Sequence, residues 1–264
     1  MKDKSYMPIS EFSKVTGIKP ENLRYYHQIN LLSPDYRGEN GYRYYTRSQL
    51  NTAYLIISLR EIGISIKEIR NYMEGRNPYK MFSLFNSQEV HILNEIKKLQ
   101  SILEIMKLYT NMAEDALTYE ENIMFIEYKN KEPLLLGPLI LSETTDESII
   151  SFYEFAAKNG FDLGYPLGAE IKFDNLISKD PLEVSRYYFK VENNGNFYKP
   201  EGQYAIIYGK CAYGESDHLY EKLISFIDEN NLKVCGDAYE EYPLNELSII
   251  NEDEYCVKIE IQVN

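Results

Sequence analysis

The sequence contains no tryptophan and only 3 histidines and 3 cysteines among 264 residues, and each shortage excludes something. Cys211, Cys235 and Cys256 lie far apart and form no CxxC pair, so a disulfide framework does not fit and a reducing compartment is expected. His27, His91 and His218 have no close ligand spacing either, which argues against a metal sensor; no cofactor is implied. No stretch approaches the roughly 20 apolar residues that span a bilayer, and the opening MKDKSYMPIS lacks an apolar leader core. The expectation is a soluble, cytoplasmic chain with no membrane partner. Positive charge is also scarce, with 28 Lys and Arg against 41 Asp and Glu and a net charge of -13. Spread evenly, such a balance would argue against a nucleic-acid partner, because binding DNA means neutralising phosphates with Lys and Arg.

The charge is not spread evenly. Residues 1–80 hold 13 Lys and Arg against 8 Asp and Glu, a balance of +5, and residues 81–264 hold 15 against 33, a balance of -18. The length points the same way, toward two domains or one domain with a long appendage. What the chain has in abundance is tyrosine, 25 residues against 11 phenylalanines, with 7 of them before residue 48 and 13 after residue 120. A buried phenol hydroxyl usually needs a hydrogen-bond partner.

In the basic first part, Ile9, Phe12 and Val15 recur at helical spacing, and Gly17 follows where a helix end favours positive φ. Glu21 to Gln28, after Pro20, gives a second short helix with proline in its first turn and an acid near the positive dipole end. Two short helices about a glycine turn suggest a helix-turn-helix. The second helix carries Arg24, Tyr25, Tyr26 and His27 in one run, which covers more than one helix face, so some of these point outward. Asn40-Gly41 then signals a two-residue type I′ hairpin, flanked by Tyr36, Arg37, Tyr42, Arg43, Tyr44 and Tyr45. Read alone, that hairpin is either a wing or a solvated, tyrosine-rich ribbon. Further on, Ser65 and Glu68 make a capping box, with Ile66, Ile69 and Met73 as the core stripe of the helix they start.

LRYYHQINLLSP followed by GYRYYT resembles the DNA-binding domain of MerR-type transcription regulators over roughly residues 6–75. His27 stands where that family often has an acid, and Asn30 where it often has glycine, a mild change because Asn tolerates positive φ. The resemblance implies that Arg24, Tyr25 and Tyr26 approach the major groove and its phosphates. It places Tyr42, Arg43 and Tyr44 on a wing meeting the flanking backbone, and Arg60 at a phosphate-contact position before the Ile62-Gly63 turn. Most such contacts fix register rather than read bases.

From Asn86 to about Leu117 there is neither Pro nor Gly, and Ile92, Ile96, Leu99, Leu103, Met106, Thr110, Ala113 and Leu117 recur at alternating spacings of 4 and 3. That heptad pattern predicts a coiled-coil helix joining a homodimer, which suits a two-fold operator. A shorter second stripe holds Ile102, Ile105, Tyr109 and Met112. MerR-type proteins use an antiparallel helix of this kind, and metal-sensing members place cysteines near it; this helix has none.

From residue 121 onward, strand-like segments near 124–141, 165–173, 184–191, 203–211, 234–242 and 255–263 alternate with amphipathic helices at Glu147–Lys158 and Asp217–Asn230. Two similar halves suggest an internal duplication. The segment resembles the GyrI-like effector domain fused to MerR-type readers, a curved antiparallel sheet with helices on one side and a cleft on the other. The expected fold is therefore α+β. It comprises a winged helix-turn-helix over 1–80, a dimerisation helix and linker over 81–120, and a GyrI-like effector-binding domain over 121–264.

Strand alternation locates a candidate receptor site. Tyr255 shares a face with Val257, Ile259, Ile261 and Val263; Tyr165 with Leu167, Ala169 and Ile171; Tyr187 with Phe189 and Val191. Glu240 falls on the same apolar-looking face. A buried carboxylate is costly unless paired or hydrogen-bonded, and tyrosine faces attract cations at roughly 0.5–2 kcal/mol each. A lipophilic aromatic cation held by Glu240, Tyr165, Tyr187, Tyr255 and Tyr204 is one reading. The other is that Glu240 caps a sheet end near Tyr204 or a lysine. In the resembling multidrug regulators a cation-binding glutamate falls at the position of Glu240. The resemblance then implies a ligand-responsive activator that distorts promoter DNA, with RNA polymerase as a further partner. Two alternatives stand beside it: a GyrI-like hydrolase using Glu240 with Tyr255, and a ligand-independent DNA-bending or partner-binding protein.

Overall fold

Helix α1, Ile9–Thr16, ends where Gly17 adopts φ +75 and returns its N–H to the Ser13 carbonyl, and α2 follows as Pro20–Gln28. Asn30 takes φ +56, as the Gly-to-Asn exchange anticipated. The computed structural model describes residues 6–39, 41–140, 145–161, 164–178 and 183–264, which divide into two units, Met1–Lys97 and Lys98–Asn264. Among the described residues no helix is long and apolar enough to cross a membrane.

The first unit is a winged helix. Strands β1 (Tyr6–Pro8), β2 (Tyr36–Arg37) and β3 (Arg43–Thr46) pair antiparallel in the order β1-β3-β2. The wing turn differs from the expected two-residue turn. Gly41 donates to the Gly38 carbonyl at 2.8 Å and Gly38 to the Tyr42 carbonyl at 2.9 Å, with Gly41 at φ +78. Three residues therefore bridge the strands and Gly41 supplies the left-handed bulge position; Asn40 lies outside the described residues. Helix α3 (Ser48–Glu61) packs Ala53, Ile56 and Leu59 on Phe12, Leu23, Tyr26 and Tyr45, with Phe12 and Tyr45 stacked at 4.4 Å. Helix α4, Ile66–Glu74, starts with the full Ser65–Glu68 capping box and buries Ile69, with Ile66 and Met73 alongside.

Helix α5 runs from Pro78 to Thr118, 41 residues, beginning eight residues before the expected Asn86. Proline at a helix start loses no intrahelical bond, so the aromatic run behind it joins the helix without heptad spacing. The face that packs within its own chain overlaps the expected second stripe only in part: Met112 is buried and Ile102, Ile105 and Tyr109 are half-buried, while Leu108 and Ala116 lie outside the expected stripe. Leu108, Met112 and Ala116 are buried, with Ile105 against the Leu108 cluster. The first stripe is bare, with Ile92, Ile96, Leu99, Leu103, Met106 and Leu117 all exposed.

The second unit is built on an eight-stranded antiparallel sheet. Its strands are β4 (Met124–Lys129), β5 (Glu132–Leu136), β6 (Leu167–Ile171), β7 (Arg186–Lys190), β8 (Phe197–Lys199), β9 (Gly202–Lys210), β10 (Val234–Leu244) and β11 (Cys256–Val263). They are ordered β4-β9-β11-β10-β6-β7-β5-β8. The segment expected as one strand over 124–141 is two: β4 forms one edge of the sheet, and β5 lies one place in from the other edge. Helices α6 (Thr145–Lys158), α7 (Phe173–Ser178) and α8 (Asp217–Glu229) complete the unit. The duplication is visible in the pairing: β5–α6–β6–β7 and β9–α8–β10–β11 each place their third strand between the first two, and β6 pairs with β10 where the halves meet.

Candidate functional site

On the first unit, α2 and the wing present a basic surface. Arg24 and Tyr25 on α2 and Tyr42 on the wing are exposed, and Arg43 and Tyr44 half-buried. Tyr26 is not on that surface: it sits three residues from Leu23 on the inward face of α2 and belongs to the core. Arg60, exposed, spends one nitrogen on the Ile64 carbonyl at 3.0 Å, bracing the turn through Gly63. His27 is held below its ordinary value by burial and by the nearby Arg37 and Arg43. It therefore adds little positive charge near neutral pH. Its Nδ1 and the Arg43 Nε are buried and unpartnered among the described residues, and buried donors ordinarily have partners.

On the second unit, register sets Tyr187, Ala169, Glu240, Ile259 and Ile207 in one row across β7, β6, β10, β11 and β9. Helices α6 and α8 pack on this same face, through Phe152 and Ala156 and through Leu219, Leu223 and Ile227. Sequence resemblance had suggested a cleft on the side opposite the helices; the Glu240 row instead lies on the helical side, at the seam between the halves. Each Leu or Ile buried there contributes roughly 1.5–3 kcal/mol, so the walls of the site are also its core.

Glu240 is 7% exposed. Its Oε2 accepts from Ser216 Oγ at 2.7 Å, and no cationic side chain pairs with it among the described residues. Burial pushes its carboxyl above the ordinary value. The hydroxyls of Ser216, Tyr242 and Tyr220 oppose that rise and the neighbouring Asp217 adds to it. Tyr220, 1% exposed on the first turns of α8, has no well-formed hydrogen bond among the described residues. The arrangement is a carboxylate facing only neutral donors, a place where a cation would restore the charge lost to burial.

The structure places the five expected ligand residues in three groups. Tyr255, buried, shares the cluster that contains Tyr242, and it is Tyr242 whose hydroxyl reaches Glu240. Tyr165 and Tyr187 lie in the aromatic cluster of the first half, with Phe152, Phe161 and Phe189. Tyr204 is on the other face of the sheet, where its hydroxyl donates to the Pro200 carbonyl at 2.7 Å. It is therefore not a neighbour of Glu240. Ser216, Tyr220 and Tyr242 were missed. Alternation does put Tyr242 on the Glu240 face, but only the folded chain brings the start of α8 there.

That other face carries charge of a different kind. Glu241 meets Lys190 at 3.2 Å, Lys190 meets Glu132 at 2.7 Å, Lys258 meets Glu260 at 2.6 Å, and Glu260 also binds Lys199. Lys199 stands over the rings of Tyr204 and Tyr239 at 4.9 and 4.8 Å. Burial pushes the carboxyls of Glu241 and Glu260 up, but the lysines prevail and hold both below the usual range.

Comparison with known proteins follows this division. Residues 7–76 match the model of the MerR HTH family regulatory protein. Along its whole length the chain is similar to two proteins of Bacillus subtilis (strain 168). The multidrug-efflux transporter 2 regulator is 31% identical over 270 residues, covering 98% of this chain and 97% of that one. The multidrug-efflux transporter 1 regulator is 28% identical over 284 residues, covering 98% of each. Among solved structures, a cryo-EM EcmrR–DNA complex aligns over 98% of this chain and 99% of that chain, at 18% identity and a TM-score of 0.43. Full-length similarity above 30%, together with the helix-turn-helix match, assigns the family: the chain belongs to the MerR family of regulatory proteins.

Proposed function

We propose that this protein is a ligand-responsive DNA-binding transcription regulator of the activator type, whose C-terminal unit receives a lipophilic aromatic cation. The observation that carries the reading is Glu240, a buried carboxylate with neutral hydroxyl donors and no cationic partner among the described residues. The names of the two Bacillus relatives, regulators of multidrug-efflux transporters, support that class of ligand. The chain is a regulator rather than an enzyme, so the hydrolase reading of Glu240 with Tyr255 falls away.

Arg24, Tyr25, Tyr42, Arg43 and Tyr44 are the side chains we assign to promoter DNA, with Arg60 contributing its remaining nitrogens and Tyr26 acting from the core. The bare stripe from Ile92 to Leu117 is assigned to a homodimer, because six exposed apolar side chains in one line call for a partner helix. Two readers related by two-fold symmetry then engage two half-sites, and RNA polymerase acts at the distorted promoter.

In vitro transcription from the promoters flanking its own gene tests the reading, with and without tetraphenylphosphonium. The cation should raise transcript yield in the wild type and leave Glu240→Gln unresponsive. Arg24→Ala should abolish promoter binding without changing cation affinity. An equal response in Glu240→Gln would remove Glu240 from the receptor. Sedimentation of Leu99→Glu/Leu103→Glu should show monomers; a persistent dimer would reassign the stripe.

A further inference from the structure

A second carboxylate borders the aromatic walls of the receptor unit. Glu246 lies in the turn after β10, which Asn245 fixes: Ser248 and Ile249 both donate to its carbonyl at 2.8 Å, and Leu247 to its side chain at 3.1 Å. The Glu246 side chain is exposed and enters no ion pair among the described residues. Its Oε2 accepts from the Tyr213 hydroxyl at 2.6 Å. The Tyr213 ring in turn stands 4.5 Å from Tyr242, whose hydroxyl reaches Glu240, and 5.3 Å from Tyr255. Tyr153 of α6 has its ring 5.7 Å from Phe189, itself 5.9 Å from Tyr165. Burial chiefly, and then the charge of Glu246, push the hydroxyls of Tyr153 and of Tyr109 on α5 upward.

Glu246 is thus tied through the Tyr213 hydroxyl and ring to Tyr242, the tyrosine that reaches Glu240. Tyr213 and Tyr153 are about half exposed, at 50% and 47%, and the exposed Glu246 carboxylate has no cationic partner among the described residues. Tyrosine faces and a carboxylate are the chemistry that holds an organic cation.

We propose that Glu246 and Tyr213 form an outer cation subsite, so that the receptor favours elongated dications, with one charge at Glu240 and the second at Glu246, over monocations of the same body. The proposal rests on the reading of Glu240 as the inner site. A monocation uses only that inner carboxylate, and a dication satisfies both.

Calorimetry on the full-length protein decides it, with decyltrimethylammonium and 1,10-bis(trimethylammonium)decane as matched probes. The wild type should bind the dication about fivefold more tightly, the scale of one partly exposed charge pair. Glu246→Gln should erase that preference while leaving monocation affinity within about twofold, and Tyr213→Phe should reduce it. Glu240→Gln should weaken both probes. A wild type without preference, or a Glu246→Gln variant that weakens both probes alike, overturns the outer subsite while the inner one stands. Indifference of both probes to Glu240→Gln overturns the inner site, and the two-site proposal with it.

Discussion

Glu240 and Glu241 are adjacent in one strand, both buried, and point to opposite faces of one sheet, where they meet opposite surroundings. Glu241 lies among Lys190, Lys258 and Lys199 and is held below the ordinary carboxylate value despite its burial. Glu240 has only hydroxyls, and burial raises it. Glu170, another buried carboxylate raised by burial, still has Lys172 at 3.4 Å and Arg186 at 3.5 Å. This fold supplies lysine or arginine to the glutamates it buries on the face of Glu241. The contrast supports the proposed role of Glu240 as a residue awaiting an external cation, and marks a buried ion pair by itself as a feature of architecture.

The largest way to break the comparison is on the paired face. Lys199→Met leaves Glu260 with one of its two contacting lysines and should cost about 3–5 kcal/mol of stability, read by urea unfolding of the second unit. A loss below about 1 kcal/mol would show that the network tolerates gaps. Because Glu241 and Glu260 are depressed when folded, their contribution is full above the ordinary carboxylate range and declines as pH falls through their folded values. Next is Glu240→Gln. It should weaken tetraphenylphosphonium by about tenfold or more and leave stability unchanged or higher, since an amide is less costly to bury than an unpaired carboxylate. Comparable destabilisation of both variants would erase the contrast.

A subtler effect follows from the sign of the Glu240 shift. Its raised value means the folded state holds the proton more tightly. Its contribution to stability is therefore present at low pH and lost as pH rises from the unfolded value to the folded one. Cation binding needs the ionised form, so affinity should climb with pH across that same window, by up to about tenfold per unit, and then level off. Glu240→Gln should flatten the climb in calorimetric titrations. The smallest effect belongs to the other unit: Ser65→Ala removes the capping box of α4 at a cost of about 1 kcal/mol and should leave cation affinity untouched. A change in affinity would deny that the two functions are separable.

Much of the first unit was legible because its signals are local. Gly17, Asn30 and the Ser65–Glu68 pair each dictate one backbone event within a few residues, and the chain obeys them. Glu240 was legible by parity, since β10 and β11 alternate clearly. Tyr204 was not: GQYAIIYGK is apolar on both faces, and only pairing of Ala205 with Ile261 sends Tyr204 to the face of Glu260. The paired lysines looked like solvated surface for a related reason. Lys258 and Glu260 alternate outward from an apolar row, and nothing local says that Tyr188, Tyr204, Tyr208 and Tyr239 will cover them. Tyr26 was misplaced because a run of polar aromatics in a short helix does not declare which member faces inward.

The register of the central seam has one further consequence. Ala169 of β6 and Glu240 of β10 stand opposite each other, so one half contributes a carboxylate and the other a single methyl. On the proposed reading, a guest at Glu240 would touch both repeats at once and could report its presence as a change in how the halves of the sheet are set against each other.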